Sequence, residues 1–92
     1  MHASGTGNGE ATLVSAGTSG WNLHWSYDCS NAAGGRGVFI VDVFKADHSP
    51  DTAAPGLFEQ GTKDTAVYHV PGAGRFYLEV TSTCRWTLEG ES

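Results

Sequence analysis

The ten residues WNLHWSYDCS, Trp21 to Ser30, place two tryptophans, a tyrosine and a cysteine in one short stretch. Its large apolar residues all occupy odd positions and alternate with polar ones; they are Trp21, Leu23, Trp25, Tyr27 and Cys29. Successive side chains of a β-strand point to opposite sides, so this alternation predicts a strand with one buried face. We therefore expect the two tryptophans to line a hydrophobic core. The alternative is that they form a binding surface.

The bulk composition predicts a small domain rich in turns. The 92 residues include 13 glycines, and 16% of them are charged, which suits tight turns between strands better than a helical bundle. Ten acidic side chains stand against five basic ones, for a net charge of −5. This charge disfavours binding to nucleic-acid phosphates and to anionic membrane surfaces. No apolar run approaches the roughly 20 residues of a membrane-spanning helix, so we expect no membrane insertion by this segment.

The remaining segments predict an all-β chain. Apolar or alternating runs predict strands at 10–15, 38–45, 57–60, 65–70 and 76–88. Glycine, proline and small polar residues predict the connections 16–20, 30–37, 46–56, 60–64 and 71–74. In 38–45 both faces are mostly apolar, which is typical of a central strand covered on both sides. Residues 76–88 are either one long strand or two strands joined by a bend near 81–83.

The domain boundary follows from the first residues. The stretch MHASGTGNG, residues 1–9, is small, polar and rich in glycine, which predicts a flexible lead-in. It also lacks the basic start and apolar centre of a signal peptide, so if the natural protein is exported we expect this chain to be its mature or excised part. We expect residues 10–92 to form a single β-sandwich domain.

Two cysteines, Cys29 and Cys84, lie far apart in the chain and fall on the apolar sides of their predicted strands. Cys84 has the same parity as Phe76, Leu78 and Trp86. Two cysteines that face one core are well placed for a buried disulfide, which indicates an oxidising compartment. The alternative is a pair of free buried thiols.

Three segments carry a family resemblance: WSYDCS at 25–30, VFIVDVF at 38–44 and GRFYLEVTSTCRW at 74–86. Together they resemble a group of small extracytoplasmic domains from actinobacteria, in which a W-x-Y-x-C strand pairs with a C-terminal G-x-F-Y-L-x-V-x-S-x-C-x-W segment. Members of that group look like secreted, lipoprotein or membrane-tethered proteins that end in one compact β-domain. The resemblance covers about residues 17–89.

The resemblance implies an extracytoplasmic β-sandwich with a bridge between Cys29 and Cys84. It transfers no catalytic residues, because the group has no assigned activity. This chain departs from the pattern in its longer, proline-containing excursion at 46–56.

Motifs for catalysis and cofactor binding are missing from the sequence. GTSG at 17–20 lacks the spacing of a nucleophile elbow, and GGRG at 34–37 lacks the lysine and the helix of a phosphate-binding loop. The four histidines are scattered without metal-site spacing. We therefore expect no enzyme, no cofactor and no required metal; Asp42, Asp47 and Asp51 are weak candidates for calcium.

A candidate binding face follows from strand parity. Tyr77 and Arg75 alternate with core positions and are expected to point outward, and Arg85 has the same parity further along. His24 would join them if its strand is a neighbour. Tyrosine and arginine are favoured at protein interfaces.

These observations predict a disulfide-stapled antiparallel β-sandwich of six to eight strands, of a jelly-roll or CUB-like kind or an immunoglobulin-like kind. We expect a non-catalytic, extracytoplasmic binding domain of a bacterial secreted or cell-envelope protein, with a protein or glycan ligand. The alternatives are a carbohydrate or cell-wall binding module, a secreted enzyme inhibitor and a purely structural spacer. A sugar binder should expose a line of aromatic rings, whereas a protein binder should expose an apolar patch rimmed by charge.

Overall fold

The computed structural model describes residues 1–15, 20–30, 33–52 and 54–91, and within them the chain forms eight β-strands and one short 3₁₀ turn. The elements are β1 (His2–Thr6), β2 (Gly9–Ser15), β3 (Trp21–Asp28), the 3₁₀ turn (Ala33–Gly35), β4 (Gly37–Phe44), β5 (Gly56–Gly61), β6 (Lys63–Val70), β7 (Gly74–Ser82) and β8 (Arg85–Glu91). They form two four-stranded antiparallel sheets. Sheet I has the order β1-β8-β3-β6, and sheet II has the order β2-β7-β4-β5. The predicted all-β fold of two antiparallel sheets is confirmed.

The core lies between the two sheets and is lined by alternate residues of the central strands. All five odd-numbered large residues of the stretch 21–30 are buried, none more than 6% exposed. Trp25, Tyr27 and Phe39 pack on one another with ring centroids 5.4 to 6.0 Å apart; Tyr27 stacks on both other rings, and Trp25 and Phe39 are tilted by 32°. Burying large aromatic side chains contributes roughly 1.5–3 kcal/mol each. The tryptophans of the opening stretch are therefore a wall of the core.

The chain crosses between the sheets through short connections, which decides which strands become neighbours. One crossing lies at Thr83–Cys84, so of the two alternatives for 76–88 the structure has the second, two strands joined by a bend, β7 and β8. Ser82 stabilises this corner: its Oγ donates to the carbonyl oxygen of Val38 (2.7 Å) and accepts the amide of Cys84 (3.0 Å). Further crossings follow β1, β2, β3, β5 and β6.

The first residues form a strand, whereas the sequence predicted a flexible lead-in over 1–9. Strand β1 pairs with β8, and β2 already begins at Gly9. The reason is the indole of Trp86, which lies against this backbone and donates from Nε1 to the carbonyl oxygen of Gly7 (2.7 Å). A Cβ atom at Gly9 would lie 2.6 Å from Cζ2 of Trp86, and one at Gly5 would lie 3.0 Å away. Close packing requires glycine at position 9 and leaves little room for a side chain at position 5, so the presence of these glycines did not indicate flexibility.

The predicted disulfide joins Cys29, just after β3, to Cys84 in the corner between β7 and β8. The two Cα atoms are 4.6 Å apart, and both residues are buried. Gly37 packs directly against the bridge, because a Cβ atom there would lie 2.6 Å from Sγ of Cys84. A structural disulfide of this kind suggests an oxidising, extracytoplasmic environment.

Several predicted connections fall partly outside the described residues, namely at 16–19, 31–32 and 53. The short strand predicted at 57–60 is confirmed as β5, at the edge of sheet II. Across the ranges that the structure describes, no helix has the length and apolar character needed to cross a membrane.

Candidate functional site

The four residues of the predicted binding face lie on opposite sides of the sandwich. Tyr77 and Arg75 belong to β7 and face outward from sheet II. Arg85 on β8 and His24 on β3 face outward from sheet I. Parity continues unbroken along 76–88, but the chain changes sheet at the corner, so equal parity no longer means a shared face. The structure does bring His24 and Arg85 onto one side of the same sheet.

The three histidines on the outer face of sheet I each contact a residue of a neighbouring strand. The side-chain pairs are His24–Glu91 (2.7 Å), His2–Glu89 (3.3 Å) and His69–Asn22 (2.9 Å). His24 therefore stabilises the pairing of β3 with β8, and this contact accounts for its position without a ligand.

A groove of about 470 Å³ crosses sheet I near Arg85. Its floor consists of small hydroxyl side chains in register, since Ser26 lies opposite both Thr87 and Thr65. Its charged lining residues carry both signs and are Asp28, Lys63, Asp64 and Arg85. Because the two signs balance, the groove favours neither an anionic nor a cationic ligand.

Asp28 turns toward its own chain although two cations lie opposite it. Its Oδ1 accepts the amide of Ser30 (2.9 Å). Hydrogen bonds from Ser30 lower the pKa of Asp28, and the charges of Lys63 and Arg85 lower it further by a smaller amount. The carboxylate therefore stays ionised and offsets part of the positive charge in the groove.

The outer face of sheet II carries a row of three carboxylates. Glu79 on β7 lies directly opposite Glu10 on β2 and Asp42 on β4, and all three are exposed. Among the described residues the ion pairs are His2–Glu89 and His24–Glu91, so none involves this acidic row. Like charges directly opposite each other on a sheet are destabilising. Folding alone does not account for this arrangement.

Apolar pairs flank the acidic row on both sides. Phe44 pairs with Tyr77 toward one end of the sheet, and Ile40 pairs with Phe58 toward the other. Phe58 is 54% exposed. The sequence predicted a central strand covered on both faces. β4 is indeed central in sheet II, but the prediction of two covered faces is wrong, because the sandwich has two layers and the core lies on one face of each sheet. The outer face of β4 is therefore an apolar surface beside charge.

Tyr77 does not present a free ring. The imidazole of His48 stacks on it, with centroids 4.1 Å apart and planes inclined by 19°. His48 lies in the turn after β4 and has a φ of 65°, in the left-handed region that non-glycine residues adopt uncommonly. One face of the Tyr77 ring is thus covered by the chain itself.

The weak calcium candidates have separate roles. Asp47 accepts the amide of Ser49 (3.0 Å), and hydrogen bonds from Ser49 lower the pKa of Asp47. Asp51 is buried and accepts the amide of Ala54 (3.3 Å), while Asp42 belongs to the acidic row. Within the described part of the chain, no three histidine, cysteine or acidic side chains form a group that could hold a metal ion.

A small concavity of about 270 Å³ lies where β5 begins, at the edge of sheet II. Its lining residues are Ile40, Asp42, Pro55, Gly56, Leu57 and Phe58. Gly56 has a φ of 140°, and a Cβ atom there would lie 2.0 Å from the carbonyl oxygen of Val41. Only glycine lets β5 approach β4 this closely, so the concavity depends on the backbone at Gly56.

Neither a protein-family model nor a curated protein matches the sequence. The class of protein is therefore defined by its fold, a disulfide-stapled β-sandwich, and by its surface. Sequence reasoning missed two features of that surface, the acidic row and the exposed Phe58. Their residues have outward parity in the sequence, but only strand register shows that they are neighbours.

Proposed function

We propose that this chain is a non-catalytic interaction domain of a bacterial secreted or cell-envelope protein, and that it binds a partner protein through the outer face of sheet II. The observation that carries the proposal is the exposed acidic row Glu10–Glu79–Asp42 between two apolar pairs. The disulfide supports a site of action outside the cytoplasm.

The physical argument is complementarity. A partner with basic side chains would relieve the repulsion among the three carboxylates, and complementary charge also speeds and orients association. Of the adjacent apolar pairs, Ile40–Phe58 supplies the exposed surface whose burial contributes most of the affinity, whereas His48 already covers part of the Phe44–Tyr77 pair. A secreted enzyme inhibitor is a special case of this proposal, in which the partner is an enzyme.

The other functions receive less support from the described surface. A sugar-binding module is expected to expose a line of aromatic rings, but the exposed large apolar side chains here are Val14, Phe58 and Val67, among which only Phe58 is aromatic. A spacer should expose neither an apolar patch nor an unpaired charge cluster, and sheet II has both.

The chain offers a matched pair of positions for a test. Phe58 is 54% exposed at the edge of sheet II, and Val67 is 56% exposed at the edge of sheet I. A photo-reactive amino acid at each position, in the disulfide-bonded protein, is irradiated with envelope proteins of the source cell. We expect one defined protein adduct from position 58 and none from position 67.

The purified partner is then titrated against variants of the two faces. Asp42→Asn and Glu79→Gln should each weaken binding by about tenfold, as expected for a lost charge-assisted contact. Glu89→Gln on sheet I should leave it unchanged. Equal adducts from both positions, or equal losses from both faces, would refute the proposal.

A further inference from the structure

We infer that the free edge of β5 receives an extended segment of the partner as an added strand, and that this segment alternates apolar and basic side chains. The inference rests on the proposed function and specifies how the outer face of sheet II engages its ligand. In this mode main-chain hydrogen bonds supply affinity, while pockets for alternate side chains supply specificity.

The edge itself is the first part of the argument. β5 pairs with β4 on one side only and is the last strand of sheet II in the described residues. Strand pairing uses backbone groups on one side, so an edge strand presents N–H and C=O groups on the other. One of them, the amide of Gly56, donates to the hydroxyl of Tyr68 (3.3 Å). The rest of β5 is placed to pair with an added strand.

The concavity at the start of β5 is the second part. It lies immediately beside the edge and combines apolar walls, from Ile40, Leu57 and Phe58, with one carboxylate, from Asp42. Its volume of about 270 Å³ admits a branched aliphatic side chain from an added strand. Burial of such a side chain would cover Phe58, one of the few exposed large apolar residues described.

Charge selects the occupant. Glu59 on β5 lies opposite the core residue Phe39 and so on the inner side of the edge, whereas Asp42 on β4 and Glu79 opposite it lie on the outer side. Two copies of this chain joined through β5 would bring these carboxylates together, and like charges across paired strands are destabilising. Alternate side chains of an added strand point to opposite sides, so a segment that seats apolar side chains in the outer concavity directs its lysine or arginine side chains toward Glu59. The occupant is therefore a basic, apolar strand of another protein.

The edge of sheet I provides a contrast within the same molecule. β6 is also an edge strand, but the groove beside it contains Lys63 and Arg85. Asp28 and Asp64 in the same groove balance these cations, so this edge lacks the net negative charge that would attract a basic segment. A basic strand that adds to β5 should therefore avoid β6.

The test uses an acetylated and amidated peptide of about ten residues that alternates lysine and valine. It is titrated into the oxidised protein while backbone amide shifts and amide hydrogen exchange are followed by NMR. We expect saturable shifts and new protection within Gly56–Gly61 and none within Lys63–Val70. A glutamate–valine peptide of the same length should not bind.

A second peptide separates strand addition from simple contact with the face. N-methylation of every peptide amide keeps the side chains and charge but removes all main-chain donors, so affinity should fall about tenfold or more. Phe58→Ser should weaken binding by a similar factor, and Val67→Ser should not. These two exposed positions control for each other.

Each outcome decides the inference separately from the proposed function. If the lysine–valine peptide does not bind, binds without protection of β5, or binds equally well after N-methylation, strand addition is refuted. The crosslinking test at position 58 can still succeed in those cases, and the domain would then bind its partner through side chains alone. Loss of the position-58 adduct, in contrast, refutes the proposed function itself.

Discussion

At the scale of single residues, Trp86 shows how one side chain determines its surroundings. The indole is buried and packs against backbone at Gly5 and Gly9, and it donates to the carbonyl oxygen of Gly7. These contacts give the first strands a partner that small polar residues could not supply by themselves. Glycine is required at position 9 because a Cβ atom there would overlap with the ring.

The first prediction concerns that contact. Gly9→Ala should destabilise the protein by about 1–3 kcal/mol, the usual range for overpacking in a filled core. Ser4→Ala, an exposed change in the adjacent strand, should remain within about 0.5 kcal/mol. Denaturant unfolding followed by tryptophan fluorescence measures both. Equal midpoints for the two variants would show that the indole can move away from position 9 freely.

Tyr27 gives a prediction in the alkaline range. Its burial raises the pKa of the phenol above the ordinary value of 10.0, and the nearby carboxylates Asp64 and Glu59 raise it further, while Arg36 acts in the opposite direction. Above pH 10.0 the unfolded chain therefore releases this proton more readily than the folded one, so stability is present below that pH and is lost as pH rises through the folded pKa.

Unfolding midpoints at about pH 9 and about pH 11 test this linkage. Tyr27→Phe keeps the stacked ring but removes the titrating group, so the variant should lose less stability over this interval than the parent protein. Tyr77→Phe, on the outer face of sheet II, serves as the matched control. An identical loss in the parent and in Tyr27→Phe would contradict the assignment.

At the scale of elements, β1 is the clearest case of structure that depends on contacts far along the chain. It pairs with β8 over five residues and covers one side of Trp86. A single strand of five residues has little stability alone. β1 therefore forms because it pairs with β8 and packs against Trp86.

The third prediction follows from this pairing. Removal of residues 1–6 should expose part of Trp86 and the edge of β8, which costs about 2–3 kcal/mol or more from lost apolar burial. Tryptophan emission should shift to longer wavelength, and unfolding should occur at lower denaturant concentration. A flexible lead-in would instead be removed with no change in either measurement.

At the scale of the whole molecule, the disulfide joins distant parts of a small chain. It ties the end of β3 in sheet I to the corner where the chain passes from sheet II to sheet I, across a sequence separation of 55. Small domains bury a limited fraction of their surface, so a cross-link that restricts the unfolded chain matters more for them.

The fourth prediction is that replacing both Cys29 and Cys84 by alanine lowers the free energy of unfolding by about 2–5 kcal/mol. Alanine avoids burying unpaired polar groups, so the loss reports on the cross-link and a small cavity. Equilibrium unfolding in denaturant gives the difference, and intact mass under non-reducing conditions shows that the parent protein is oxidised. A loss below about 1 kcal/mol would contradict a stabilising role for the bridge.

Local patterns in the sequence determined much of this architecture. The alternation in 21–29 and 76–88 predicted which side chains are buried, and with them the disulfide partners Cys29 and Cys84, because a strand repeats every two residues wherever it lies. The prediction over 1–9 was wrong for β1 because a local composition cannot reveal a distant indole. The prediction that β4 is covered on both faces failed for the same reason. The apolar residues of β4 do not show how many layers pack on its sheet, and here only one layer does.

The shared surfaces were decided by tertiary structure alone. The predicted binding face is divided between the two sheets, with Tyr77 and Arg75 on sheet II and Arg85 and His24 on sheet I. The cause is the change of sheet at Thr83–Cys84, which residue parity does not reveal. The acidic row Glu10–Glu79–Asp42 likewise exists only through strand order and register. Sequence periodicity states which side of its own strand a residue occupies, whereas its neighbours across the sheet depend on long-range hydrogen bonding between strands.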